Sequence, residues 1–194
     1  MPRKVIVVIG IMLCLGMISC NLFKTRTADA PTQVSSNYVQ PSDPEKVLQN
    51  MVNSFHDKNK VNYLYSFSDA SFVFEATANA RSTYGSVLLP WNKKSEGDYF
   101  EKVMIKLQQN SYVALTFGTL TTTYFVDSTQ VETEYQLVVP HTEANTSKNF
   151  RGRVQFLFVR AQSGDWSIRQ WLDINVGVSD STWSDLKGIA LSRW

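Results

Sequence analysis

The sequence predicts an α+β domain: three N-terminal helices packed on a curved antiparallel sheet, with a short C-terminal helix. Three observations predict it. Val47, Leu48, Met51, Val52 and Phe55 recur at helical spacing near the start of the folded part. After residue 110 the apolar runs read as strands until the last one. Phe150–Arg160 and Trp166–Val176 flank a polar Ala161–Asp165, a hairpin with Gly164 in its turn. Helices followed by a run of strands is the pattern in which helices cover one face of a sheet.

Taken in order, Asp43-Pro44-Glu45 opens the first helix, with Asp43 as cap and Pro44 in the first turn. The apolar period carries that helix to Asp57. A second, short helix turns Val61, Leu64, Tyr65 and Phe67 inward. Phe72–Ala76 reads as a strand, and Ala78–Pro90 as a long loop. Ser95–Gln108 is the third helix, burying Tyr99, Phe100, Val103, Met104 and Leu107. Tyr112–Phe117 begins the strands and continues through the threonines to Phe125, and Asp127-Ser128-Thr129 turns the chain. In Val131–Val139 the odd residues face one way and Glu132, Glu134 and Gln136 the other. The hairpin follows, apolar on both faces at Leu157 and Val159 and so covered on both sides. Trp166, Ile168 and Leu172 are expected on its core face with Trp166 at the centre, Trp171 pointing away unless a bulge re-aims it. Ser179–Lys187 reads as a helix stopped by Gly188, and Trp183 sits on an element free to fray.

Ahead of this domain the chain carries an address. Arg3 and Lys4 precede an apolar Val5–Ile18, too short to span a bilayer comfortably, and small Ser19 precedes Cys20. Met17-Ile18-Ser19-Cys20 resembles a bacterial lipobox, which implies removal of residues 1–19 and acylation of Cys20. Cys14 would leave with the signal, so the mature chain would hold no disulfide. Asn21–Ser42 is polar, with Pro31 and Pro41 and no apolar period, and reads as a tether of roughly 25 Å reach. The expected organisation is therefore 1–19 signal peptide, 20–42 acylated cysteine and tether, and 43–194 a single domain. Without Arg3 and Lys4 the formal charge of +2 falls to zero, which gives no footprint for nucleic acid.

The order helix, helix, strand, helix, then four strands resembles the nuclear-transport-factor-like (cystatin-like) cone that ketosteroid isomerases and polyketide cyclases also adopt. Pro44-Glu45, Phe72-Val73-Phe74, Phe150-Arg151-Gly152 and the run Gly164–Asp173 carry the resemblance, over residues 43 to 176. It implies a conical interior with an apolar pocket, and little about function, because the fold hosts enzymes, scaffolds and binding modules.

Inward polar residues are therefore the candidates. Asp173, at the end of the last strand, is a possible base if burial raises its pKa, or else a group that caps a turn or pairs with Arg169 or Arg153. Glu75 is a pocket carboxylate or an exposed strand end. Tyr63, Tyr65 and Tyr135 are candidate hydrogen-bond donors to a ligand oxygen, and Trp91 and Trp171 candidate ligand-contacting rings. His56, at a helix C-terminus, suits the helix dipole, and His141 falls in a polar loop. Two distant histidines and no free mature thiol give no zinc pattern. No nucleophile elbow, phosphate loop or dinucleotide fingerprint is present, and no cofactor is expected. The expected function is a lipid-anchored envelope domain, non-catalytic, binding a small apolar ligand or a protein partner in or near the cone. The alternatives are an isomerase- or cyclase-like enzyme using Asp173 or Glu75 with a tyrosine, and a module that dimerises through its sheet face. Asn21 after the cysteine favours an outer membrane in a cell that has two.

Overall fold

The computed structural model describes residues 37–69, 71–177 and 180–194. Helix α1 (Pro44–His56) starts at Asp43, whose side chain accepts from the amide of Lys46 at 2.9 Å. It is followed by α2 (Lys60–Tyr65), β1 (Val73–Glu75), α3 (Ala78–Leu88) and α4 (Lys93–Lys106). Then come β2 (Ala114–Phe117), β3 (Thr121–Tyr124), β4 (Ser128–Val138), β5 (Asn149–Arg160), β6 (Trp166–Ile174) and α5 (Trp183–Arg193). The sheet order is β1-β6-β5-β4-β2, with β3 also on β4. Alternate residues of β5 are buried, and the helices pack on that face around one apolar core.

The structure departs from the sequence expectations in five places. The segment expected as a loop is α3, so four helices precede β2. It opens with Thr77 accepting from the amide of Ala80, but its run Ala78–Leu88 buries only Ala80 and Leu88 and so has no apolar stripe to read. The sheet is mixed, since β1 pairs in parallel with β6. β2 and β3 are separate strands, both paired to β4, with a break at residues 118–120.

The fourth departure is in β6. Leu157 pairs with Gln170 and Phe158 with Ile168, so Arg169 is an extra residue in a bulge. Beyond it the inward face is reset: Trp171 and Asp173 point in, while Leu172 is half-buried. Trp166 sits half-buried at the hairpin end, its amide donating to Pro41 O at 2.8 Å.

The fifth is the C-terminus. The helix passes through Gly188, where a Cβ would lie 2.4 Å from the ring of Tyr84 on α3, so glycine is there to let two helices touch. α5 is capped by Thr182 and Asp185 in a reciprocal box and buries Trp183, Leu186, Lys187 and Ala190, one helical stripe. Trp183 meets Trp171 edge-on at 4.5 Å and packs on Phe55 and Tyr135. The helix is integral to the core. Trp183→Ala is therefore expected to cost about 3–5 kcal/mol, and Trp166→Ala closer to ~1 kcal/mol. Urea midpoints of the two variants check the order, and a larger loss for Trp166→Ala would refute it.

Candidate functional site

The inward ends of α4, α5, β4 and β6 bring two carboxylates into the interior. Glu96 lies in the first turn of α4, on the same stripe as Tyr99, Phe100 and Val103, and is fully buried. Its Oε2 accepts from Tyr63 Oη at 2.7 Å, and its Oε1 from Trp91 Nε1 at 2.7 Å. Lys187 Nζ completes the set as an ion pair to Oε1, both side chains having no exposed surface. The ammonium sits in a box of rings, 3.6 Å from the centroid of Trp171, 3.7 Å from Phe74, 5.0 Å from Trp91 and 5.6 Å from Tyr99. Burial pushes the Lys187 amine down to about 8, against the upward pull of Glu96.

The second carboxylate, Asp173, accepts from Tyr135 Oη at 2.9 Å and from the amide and hydroxyl of Ser184 at 2.7 and 2.5 Å. Tyr135 Oη in turn accepts from the amide of Trp183 at 2.6 Å, and Ser184 Oγ from the amide of Thr77 at 3.0 Å. Burial raises the Asp173 pKa, and the Ser184 and Tyr135 hydrogen bonds oppose it. The Tyr135 hydroxyl is pushed far up by burial and by Asp173. Gly152 makes room for it: a Cβ there would lie 2.8 Å from Tyr135 Oη and 2.9 Å from Ile174 O.

Of the residues singled out from sequence, Asp173, Tyr135, Tyr63, Trp91 and Trp171 are brought together. Asp173 takes the capping role, on the first turn of α5, and neither arginine pairs with it; Arg153 pairs with Glu132 at 3.2 Å. Trp91 is buried, its indole N–H donating to Glu96. Glu75 and Tyr65 lie outside the cluster. Glu75 is exposed and accepts from Gln170 Nε2 at 2.8 Å, and Tyr65 is an exposed ring edge-on to Tyr38. His56 is exposed beside Asp57, whereas His141, expected in a polar loop, is buried, with Nε2 2.8 Å from Ser147 O. Cys20 lies outside the described residues. Sequence reasoning missed Glu96, Lys187 and Ser184. The signal was there for two of them: Glu96 and Lys187 are opposite charges on the apolar stripes of their helices.

Glu96, Lys187, Asp173, Tyr135, Trp171 and Trp183 are all buried. A cavity of about 530 Å³ is an open depression lined by Thr116, Glu134, Gln136 and Arg151, where β5 outruns β6. Among the described residues no group of three or more His, Cys, Asp or Glu could hold a metal, and no helix is long and apolar enough to cross a membrane.

This architecture is the nuclear-transport-factor-like, cystatin-like fold, shared with solved structures at low sequence identity. A protein of unknown function from Mycobacterium tuberculosis, Rv3472, superposes with a TM-score of 0.52 at 12% identity, over 76% of this chain and 83% of that one. A Novosphingobium aromaticivorans protein provisionally assigned as a scytalone dehydratase gives 0.55 at 8% identity, over 71% and 88%. LinA gives 0.50 at 9% identity, over 66% and 79%. No protein-family model and no curated protein sequence matches the chain.

The Lys187 shift has a sign. With a folded value near 8 below the ordinary 10.5, the unfolded chain binds more protons between those two values. This group's contribution to stability therefore grows as pH rises through that window and is lost as pH falls through 8. NMR of the Lys187 Nζ should show a midpoint near 8. The rise in urea midpoint from pH 7.5 to 9.5 should shrink in the Glu96→Gln/Lys187→Met double variant. Lys187→Met alone, which strands the carboxylate, should cost about 3–5 kcal/mol at pH 7. An ordinary lysine midpoint would refute the assignment.

Proposed function

We propose that the chain is a lipid-anchored envelope domain of non-catalytic binding type, held to the membrane at Cys20 and working through its surface. The observation that carries this reading is α5 in the interior. Trp183 and Lys187 fill the space between the helices and the sheet, and Glu96, Asp173 and Tyr135 are hydrogen-bonded within the chain, Trp171 Nε1 alone of that cluster being buried without a partner. A partner therefore meets the outside of the domain, which favours an envelope protein over a small apolar ligand in the cone. The anchor rests on the Arg3–Cys20 pattern, and Asn21 favours the outer of two membranes. Homodimerisation through the sheet is disfavoured, because its outer face carries Glu134, Gln136, Arg151 and Arg169, all exposed.

One observation favours a second reading. Tyr135 and Asp173 form a carboxylate–tyrosine pair with a raised Asp173 pKa, on a fold shared with LinA and the dehydratase-assigned protein. An isomerase- or cyclase-like enzyme would use Asp173 as base and Tyr135 as donor once α5 had left the interior.

Native-state hydrogen exchange separates the two. The amides of Leu186–Ala190 should exchange only through global unfolding if the interior is permanently closed. Exchange through an opening of much lower free energy, confined to α5, would sink the non-catalytic reading in favour of the enzyme. Independently, Cys20→Ser should remove the protein from the membrane fraction; unchanged fractionation would refute the anchor.

A further inference from the structure

The β3–β4 hairpin carries an exposed apolar tip that the core does not use. Tyr124 closes β3, and Phe125 and Val126 form the turn, closed by the Phe125 amide donating to Ser128 O at 2.9 Å. These three consecutive residues are 77%, 54% and 99% exposed. They stand beside the N-terminus of α1, sharing with Pro44, Glu45 and Trp166 the lining of a shallow cleft.

We infer that this tip is a second membrane contact, dipping into the lipid interface on the side of the domain that faces the anchored membrane; this rests on the lipid-anchored reading above. The area argues against a protein partner. Three side chains at these exposures present on the order of 400 Å², half of the ~800 Å² per partner that a stable interface takes. A convex tip of Tyr and Phe fits the headgroup boundary, where amphipathic rings settle with their apolar bodies inward.

The reach of the chain agrees. Residues 37–41 run back along α1: Asn37 O accepts from Asn53 Nδ2 at 2.7 Å near the C-terminal end of α1, and Pro41 O from Trp166 N at 2.8 Å. Thirteen residues of α1 therefore put Asn37 roughly 20 Å from the tip end of the domain. Cys20 lies seventeen residues before Asn37, and the tether expected from the sequence would, as a coil of that length, have an r.m.s. reach of about 23 Å. A tether whose reach matches the span gives the second contact its highest effective concentration. Charge bears on the lipid: Asp43, Glu45 and Asp127 stand at this end of the domain against Lys46 and the exposed Arg160 at the end of β5, a balance of one negative charge that gives no attraction to an anionic surface.

The test uses the full chain, Val126→Cys, carrying an environment-sensitive fluorophore, in phosphatidylcholine vesicles with nitroxide-labelled lipid. Tyr112→Cys, exposed at the opposite end of α1 beside His56, is the control. The label at 126 should be quenched at least threefold more than that at 112, with less quenching when phosphatidylglycerol replaces half of the lipid. Flotation of the Cys20→Ser variant, which lacks the acylated residue, reports the anchor separately. A floating chain whose 126 label stays in water overturns the tip contact and leaves the anchor standing. A Cys20→Ser chain that floats as fully as the parent and is quenched at 126 supports the tip and overturns the anchor; a parent chain that neither floats nor is quenched overturns both. A blue shift at 126 that needs protein concentration and no lipid assigns the tip to a second copy and overturns the lipid contact.

Discussion

The interior depends on one ion pair, Lys187 with Glu96. Each charge would be costly to bury alone, by several kcal/mol, and the pair offsets that cost only with good geometry and further hydrogen bonds. Glu96 has both: two neutral donors, Tyr63 and Trp91, besides the ammonium. Lys187 has rings on its remaining sides, which take the place of water for a cation. The pair also fixes register. If α5 slid by one turn, a carboxylate would be left in an apolar interior without its cation, so the helix has one seat. The requirement reaches outward: Gly188 must be small for α5 to lie against Tyr84, and the bulge at Arg169 must turn Trp171 inward to roof the ammonium.

The two buried carboxylates are treated differently, and the difference explains their roles. Glu96 meets a full positive charge. Asp173 meets dipoles: the amide and hydroxyl of Ser184 in the first turn of α5, and the Tyr135 hydroxyl. A helix N-terminus favours an anion, but less than a cation at contact does, and burial raises the pKa of Asp173. The carboxylate–tyrosine pair that would be a catalytic dyad in an open cone here holds the start of a helix. Tyr135 donates to Asp173 and accepts from the Trp183 amide, so its hydroxyl proton is already engaged within the chain.

Much of the fold was legible in the sequence, and the failures share a cause. α1, α2, α4 and the β4–β5–β6 meander follow from period and caps, because burial on one face leaves a periodic trace. α3 buries two small contacts and leaves no trace. The faces of β6 follow a strict alternation only up to the bulge, and a single inserted residue reverses every assignment after it. The C-terminal helix was misjudged through Gly188, which reads locally as a stop and is a point of helix contact. The site was half legible: Asp173, Tyr135, Trp91 and Trp171 stand out as polar or aromatic groups in apolar runs. Their grouping around Lys187 depends on α5 folding back under the sheet, over a sequence distance of 91 residues from Glu96, which no local pattern encodes.

A cone of this fold needs its interior filled, by ligand or by protein. Here the filling is covalently part of the chain, and it brings its own cation for the buried carboxylate and its own amides for the second. Glu96, Asp173 and Tyr135 are hydrogen-bonded in holding α5, while Trp171 Nε1 is buried without a partner. Outside the core the described residues present a polar sheet face and an open depression beside Arg151.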